Sequence, residues 1–148
     1  MIDLKNIHEM WQADSTIDSM HLDETSRKTP LLHAKYLELL STAKLQLKRE
    51  EFSQKTLLKQ KWEWYNGKMD ETTVKELGWD PDPFNGLKIM KGDMDYYYDS
   101  DPEIQKSEEK IQYYKTLVET LTEIVNNLNW RHQTIGNIIK WKQFESGG

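Results

Sequence analysis

Apolar residues recur every three or four positions through most of this chain, and the places where they stop doing so mark its turns. In DLKNIHEMWQA (residues 3–13), Leu4, Ile7, Met10 and Trp11 share one helical face behind Asp3, a good capping side chain, which predicts a short amphipathic helix. STIDSMHLDETSRKT is a polar connection able to turn helical before Pro30, a residue suited to a first helical turn or to a kink. From Leu31 to Tyr65 there is neither Gly nor Pro and helix formers dominate, which predicts one long helix. Asn66-Gly67 ends it, because Gly accepts the left-handed conformation in which helices stop.

Residues 67–100 lose the period. Gly67, Gly78, Gly86 and Gly92, with Pro81 and Pro83 in WDPDPFNG, interrupt regular structure repeatedly. LKIM and YYY flank a KGD turn and have the composition of two short strands. An irregular, partly mobile acidic connector with room for a small β-hairpin is expected here. SDPE then restarts a helix, with Ser100 or Asp101 as cap, Pro102 at its first position and Glu103 in its first turn. Beyond it Ile104, Ile111, Val118, Val125, His132 and Ile139 recur every seven residues, and Ser107, Tyr114, Leu121, Leu128, Ile135 and Lys142 follow at an offset of three. This heptad seam predicts one coiled-coil-like helix from about residue 102 to about residue 144. Leu117, Ile124 and Ile138 widen the seam, as suits a helix with one neighbour inside its subunit and another outside it.

The expected fold class is therefore mostly all-α: a single domain over 1–148 built as a long helical hairpin. Its parts are an N-terminal helical segment (1–66) opening with a short helix, the acidic connector (67–100) and a C-terminal oligomerisation helix (101–145). Ile104, Ile111, Tyr114, Val118, Leu121, Val125, Leu128, Ile135 and Ile139 are the candidate oligomerisation residues.

A charged fraction of 30% against 36% hydrophobic residues, with a mean hydropathy of −0.86, suits long exposed helices or an oligomer that covers the remaining apolar surface. No Cys is present, so disulfides, thiolate metal sites and Cys nucleophiles are excluded. No apolar run approaches the roughly 18 residues of a membrane span, and MIDLKNIHEMWQAD lacks a signal-peptide pattern, so a soluble, intracellular protein with no membrane partner is expected.

The net charge of −5 conceals an uneven distribution. Residues 27–68 hold ten Lys/Arg against four Asp/Glu, whereas 1–26 hold one against six and 70–109 four against twelve. A basic block between acidic ones points to a local polyanion site. With Lys44 at zero on a helical wheel of about 100° per residue, Lys48 falls at about 40°, Lys55 at about 20°, Lys59 at about 60° and Trp62 at about 0°. Leu32, Tyr36, Leu39, Leu40, Ala43, Leu47, Leu57 and Leu58 occupy another face. A lysine row that ends in a ring can track phosphates and stack on unpaired bases whatever their sequence, although a lysine face is more often simply solvated. Trp64 lies at the edge of the apolar face and is expected to pack. Lys61, at about 260°, sits over that face, so it either snorkels past Tyr65 or serves a neighbouring subunit's groove.

Catalytic motifs are missing. No phosphate-binding loop, dinucleotide fingerprint, HExxH or GxSxG occurs, and His8, His21, His33 and His132 are scattered singly, without metal-ligand spacing. DMDYYYDSD lacks the Gly and Glu register of a calcium loop. A non-enzyme without cofactor or metal is expected.

Over KYLELLSTAKLQLKRE, LKQKWEWYNG and IQYYKTLVETLTEIVNNLNWRHQTIGNIIKWKQFESG the chain resembles the UvsY-type recombination mediators of T-even-like bacteriophages. The family's strand-binding motif, L-K-x-R/K followed by aromatics and x-G, falls on Leu58, Lys59, Lys61 and Tyr65, with Lys61 in place of an arginine and its planar donor fork. WDPDPFNG has no counterpart and looks like an insertion. The resemblance implies a protein of the infected bacterial cytoplasm that binds single-stranded DNA coated by a single-strand DNA-binding protein and helps load the phage recombinase. It also implies a ring-like homo-oligomer of about six or seven subunits. Lys44, Lys48, Lys55, Lys59, Lys61, Trp62 and Tyr65 are thus the candidate nucleic-acid-binding residues, with Arg27, Lys28, Arg49 and Lys68 secondary. The competing reading is a coiled-coil adaptor whose basic helix meets an acidic protein. Steep salt dependence and competition by oligonucleotides of any sequence separate the two.

Overall fold

The computed structural model describes residues 3–147, and among them the ordered elements are all helical: α1 (Leu4–Asp14), α2 (Leu22–Tyr65), α3 (Glu71–Leu77), a 3₁₀ turn (Lys91–Asp93), α4 (Met94–Ser100), α5 (Pro102–Asn129) and α6 (Arg131–Glu145). No helix among them is long and apolar enough to cross a membrane. The chain divides into two compact units, Met1–Gln46 with Tyr114–Gly148, and Leu47–Tyr113.

In the first unit α1 starts where the Asp3 carboxylate accepts the Lys5 N–H at 3.2 Å, the cap its sequence predicts. Its apolar face delivers Ile7 to the interior and sets Trp11 edge-on to Tyr36, rings 5.5 Å apart. The other buried apolar side chains of the unit, among the described residues, are Tyr36, Leu40 and Ala43 from α2, Tyr114, Leu117, Leu121, Ile124, Val125 and Leu128 from α5, and Ile135 from α6. α2 begins nine residues before Leu31, so Pro30 lies inside it, and the polar connection is helical from Leu22 onward. The Thr25 and Thr29 hydroxyls donate to the carbonyls of His21 and Thr25, four residues back in each case.

A polar clamp closes this unit. Asp14, at the end of α1, accepts from Lys35 Nζ at 2.6 Å and from the Tyr36 hydroxyl at 2.7 Å. Burial pushes the Asp14 carboxyl up, but these hydrogen bonds outweigh it and hold the group below the usual carboxylate range. Arg131, 4% exposed, donates to the carbonyls of Asp14 and Thr16. Its position explains why the single C-terminal helix expected from the heptads is two. Asn126, Asn127 and Asn129 compete with helical backbone hydrogen bonding, the Trp130 N–H tightens onto the Asn127 carbonyl, and the restarted α6 puts Arg131 at the end of α1.

The second unit corrects the expectation of a loose connector with a β-hairpin. KGD forms the 3₁₀ turn and MDYYYDS forms α4, whose Tyr97 and Tyr98 pack on rings from elsewhere in this unit instead of pairing as strands. α2 ends in paired reverse hydrogen bonds, Gly67 N–H to Trp64 O and Lys68 N–H to Glu63 O, with Gly67 at φ 66°. α3 ends identically at Gly78, which delivers Trp79. In WDPDPFNG the Asp82 carboxylate accepts the N–H groups of Phe84 and Gly86, a local Asx turn that presents Phe84 to the interior ring cluster. This segment is thus folded.

The residues expected to join copies are largely covered within the chain. Ile104 and Ile111 in the second unit, and Tyr114, Leu121, Val125, Leu128 and Ile135 in the first, are all buried, and Val118 is half-buried. A wide apolar stripe is satisfied by the chain's own side chains first. Of those nine candidate residues Ile139, 42% exposed, is the one left open, and on the same helix Trp141 and Phe144 are 65% and 74% exposed.

Candidate nucleic-acid interface

The last five turns of α2, in the second unit, present two surfaces with opposite fates. Lys48, Lys55 and Lys59 are exposed, as their wheel positions require. Lys59 has a side chain 79% exposed and a long ion pair to Glu63 at 3.8 Å; Lys48 reaches Glu51 at 4.0 Å. Contacts of that length between solvated groups hold the lysines weakly, so both can turn to another anion. Trp62 is 47% exposed, with the Lys68 ammonium 4.7 Å over its ring. Lys68 reaches that place because the Gly67 turn reverses the chain directly after α2. Lys44 is exposed on α2 within the first unit.

Lys61 and Tyr65 are placed differently from the motif expectation. Lys61 is 3% exposed, and its ammonium lies 3.1 Å from Asp101 and 3.4 Å from Glu103. The same ammonium stands 4.0 Å over the Trp79 ring and 4.7 Å over the Trp64 ring. A lysine at this depth is tolerable only when its charge is met on several sides, and here two carboxylates and two ring faces do so. It neither snorkels to water nor lies open to another subunit. Tyr65, 8% exposed, donates to Asp101 at 2.6 Å and packs among Trp64, Phe84, Tyr97 and Tyr98. Burial, then the hydrogen bond to Asp101, raises its phenol above the usual range.

Asp101 organises this centre. One carboxylate oxygen caps α5 through the Glu103 and Ile104 N–H groups, and the other takes Tyr65 and Lys61. Burial pushes its carboxyl up; the hydrogen bonds from Tyr65, the Ile104 N–H and Lys61 prevail and keep it below the usual value. Glu103 also accepts Trp79 Nε1 at 2.8 Å, and Trp64 Nε1 donates to the Asp80 carbonyl at 2.8 Å, so Trp64 packs as its wheel position implies. Of the seven candidates, then, the structure brings Lys48, Lys55, Lys59 and Trp62 onto one exposed face of α2 in the second unit and turns Lys61 and Tyr65 inward beneath it. One exposed ring on that face escaped the sequence reading. Phe52, at about 80° on the same wheel, is 56% exposed beside Lys48 and Lys55. A count of lysines finds the row but ignores a ring that lies between two of them.

Residues 10–148 match the family model of the recombination, repair and ssDNA binding protein UvsY. The chain belongs to the UvsY family. The recombination protein uvsY of Enterobacteria phage T4 is 24% identical over 144 residues, spanning 97% of this chain and 98% of that protein. Among solved structures, a crystal form of the bacteriophage T4 recombination mediator protein UvsY (lattice type II) superposes with a TM-score of 0.81, at 23% identity, and covers 99% of both chains. A second crystal form (lattice type IV) gives 0.78 at 22% identity, covering 97% of this chain and 99% of the other. At such identities the likeness carries the UvsY fold, a helical one that agrees with the helices described above.

Proposed function

We propose that this UvsY-family chain is a recombination mediator that binds single-stranded DNA and promotes loading of the phage recombinase onto strands coated by single-strand DNA-binding protein, in the cytoplasm of the infected bacterial host. The observation that carries the reading is the exposed face of α2, where Lys48, Lys55, Lys59 and Trp62 stand clear of a folded aromatic centre. Phosphates meet the ammonium groups, and an unpaired base stacks on the exposed indole. Lys61 and Tyr65 serve the strand indirectly: they fix the end of α2 and hold the strip at its angle. Three exposed lysines bind one strand weakly. Several copies in a ring of about six or seven multiply that affinity and bend the strand, which loosens a cooperative coat along it. The copies meet through the open end of α6, at Ile139, Trp141 and Phe144.

Fluorescence titration with unlabelled oligo-dT at several salt concentrations, beside a light-scattering mass, tests the reading. Quenching that weakens steeply with salt, in an oligomer, is expected. Salt-insensitive quenching, or displacement by an acidic protein but not by oligonucleotides, favours the adaptor reading instead.

A further inference from the structure

We propose that Phe52 is a second base-stacking platform on the strand-binding face, so that each subunit grips two separated bases. This rests on the reading of the α2 strip as a strand site and adds a residue to it. Phe52 lies in the second unit, 56% exposed on a helix whose apolar neighbours there mostly turn inward. A phenyl ring so placed leaves more than half of its surface open, and the ammonium groups beside it give that surface a chemical use. Lys48, one turn before it, stands 5.2 Å from the ring centre, and Lys55, one turn after, stands 5.7 Å away. Cations on both sides of an exposed ring suit a nucleotide: the phosphates draw the ammonium groups outward and the freed ring face receives the base. Glu51 pairs with Lys48 at 4.0 Å, and that contact yields readily to a phosphate.

Trp62 repeats the arrangement further along α2, with Lys68 over its ring and Lys59 nearby in sequence. Ten residues separate the two rings, about 15 Å along the helix. Adjacent bases in a stacked strand are only about 3.4 Å apart, so the rings cannot hold neighbours in one stack. They hold two bases of an opened-out strand, with the nucleotides between them spanning the lysine row. Readout by ring faces makes the grip indifferent to sequence.

The test uses the full-length oligomer and an oligo-dT short enough to occupy one subunit. Phe52→Leu, which keeps an apolar side chain, should weaken binding about five-fold or more, the loss of at least one weak base stack, with melting temperature and light-scattering mass unchanged. Phe52→Trp should restore affinity and add quenching on strand addition. Irradiation with an oligonucleotide carrying 5-iodouracil should give a cross-linked peptide containing Phe52. If Trp62→Ala weakens binding while Phe52→Leu binds normally and no Phe52 peptide cross-links, the second platform is wrong and the strip stands. If wild type neither quenches nor cross-links with any oligonucleotide, the strand-site reading fails and this proposal with it. A lower oligomer mass for Phe52→Leu would make Phe52 a contact between copies and overturn the proposal as well.

Discussion

The two units of this chain solve the same problem with different materials. The first is mostly aliphatic, its interior drawn from Leu, Ile, Val and Ala at helical spacing with Tyr36 and Tyr114 among them, and a polar clamp, Asp14 with Lys35, Tyr36 and Arg131, closes it. The second is aromatic and charged, its centre a buried lysine ringed by Trp64, Trp79 and two carboxylates, with Tyr65, Phe84, Tyr97 and Tyr98 beside it. Aliphatic packing is non-directional and tolerates exchange of one side chain for another of similar volume. A buried ion network is directional, and removing one member leaves the others uncompensated. The comparison teaches that the second unit is the brittle one, and it is the unit that presents the strip.

Lys61→Ala should show the brittleness at its largest. It leaves Asp101 and Glu103 facing two indoles without their cation and should cost about 3–5 kcal/mol, read by chemical denaturation. A variant that melts like wild type but no longer binds oligo-dT would instead put Lys61 in contact with the strand. In the first unit Leu121→Ala, at a position 0% exposed, should cost about 2–5 kcal/mol, and Leu121→Met much less. Equal losses from Leu121→Met and Leu121→Ala would contradict the tolerance claimed for aliphatic packing. Trp62→Ala should cost roughly 1–3 kcal/mol of strand affinity per site with almost no change in melting, whereas Trp64→Ala should melt early.

Acid sharpens the contrast without a change of size. Asp101 and Asp14 both titrate below their ordinary value of 3.8, so each contributes stability that is complete above about pH 4 and drains away as pH falls through the depressed value. Asp101→Asn should flatten the acid limb for the second unit, and Asp14→Asn for the first, as followed by melting between pH 5 and pH 2. An acid limb unchanged in both variants would mean that other carboxylates carry it. The smallest effect belongs to Lys55→Ala with Lys59→Ala. Stability should stay within about 0.5 kcal/mol of wild type, while the salt slope of binding falls by about 0.7 for each lysine lost.

The aliphatic half of the molecule was legible in the sequence because periodicity is a local signal: Leu4 to Trp11, Tyr36 to Ala43 and the heptads of α5 each declare a buried face within a few turns. The C-terminal end of α2 and the start of α5 were legible for the same reason, since Asn66-Gly67 and Asp101-Pro102 act on their own backbone, whereas the start of α2 at Leu22 was not. The aromatic half was not. Trp79 and Phe84 come to the centre through turns at Gly78 and Asp82, and periodicity cannot see where a turn aims a ring. Lys61 meets its carboxylates 40 and 42 residues along the chain, so its depth follows from a distant partner and not from its neighbours. The break at Trp130 was hidden because the seven-residue repeat continues through it to Ile135 and Ile139. The exposed row of Lys48, Lys55 and Lys59 was readable from the wheel, but the buried fate of two of its expected companions was not.

Lys61 and Trp62 are consecutive residues, one sealed among indoles and the other open to solvent, and this places a constraint on length. One residue inserted between Lys48 and Lys61 would rotate everything after it by about 100° relative to everything before it. The ring at position 62 would then leave the lysine row, or the lysine would leave its carboxylates. An insertion of four residues comes back to within about 40° but lengthens the row by about 6 Å and so shifts Lys48 and Phe52 away from Trp62. Within this stretch the positions outside the strip and the buried centre can exchange side chains, but residue number can change hardly at all. Insertions and deletions among relatives should collect instead around residues 85–90, where the exposed Asn85 (φ 52°) and Gly86 already turn outside any helix. The spacing along α2 behaves as a ruler, and its gradations are whole turns.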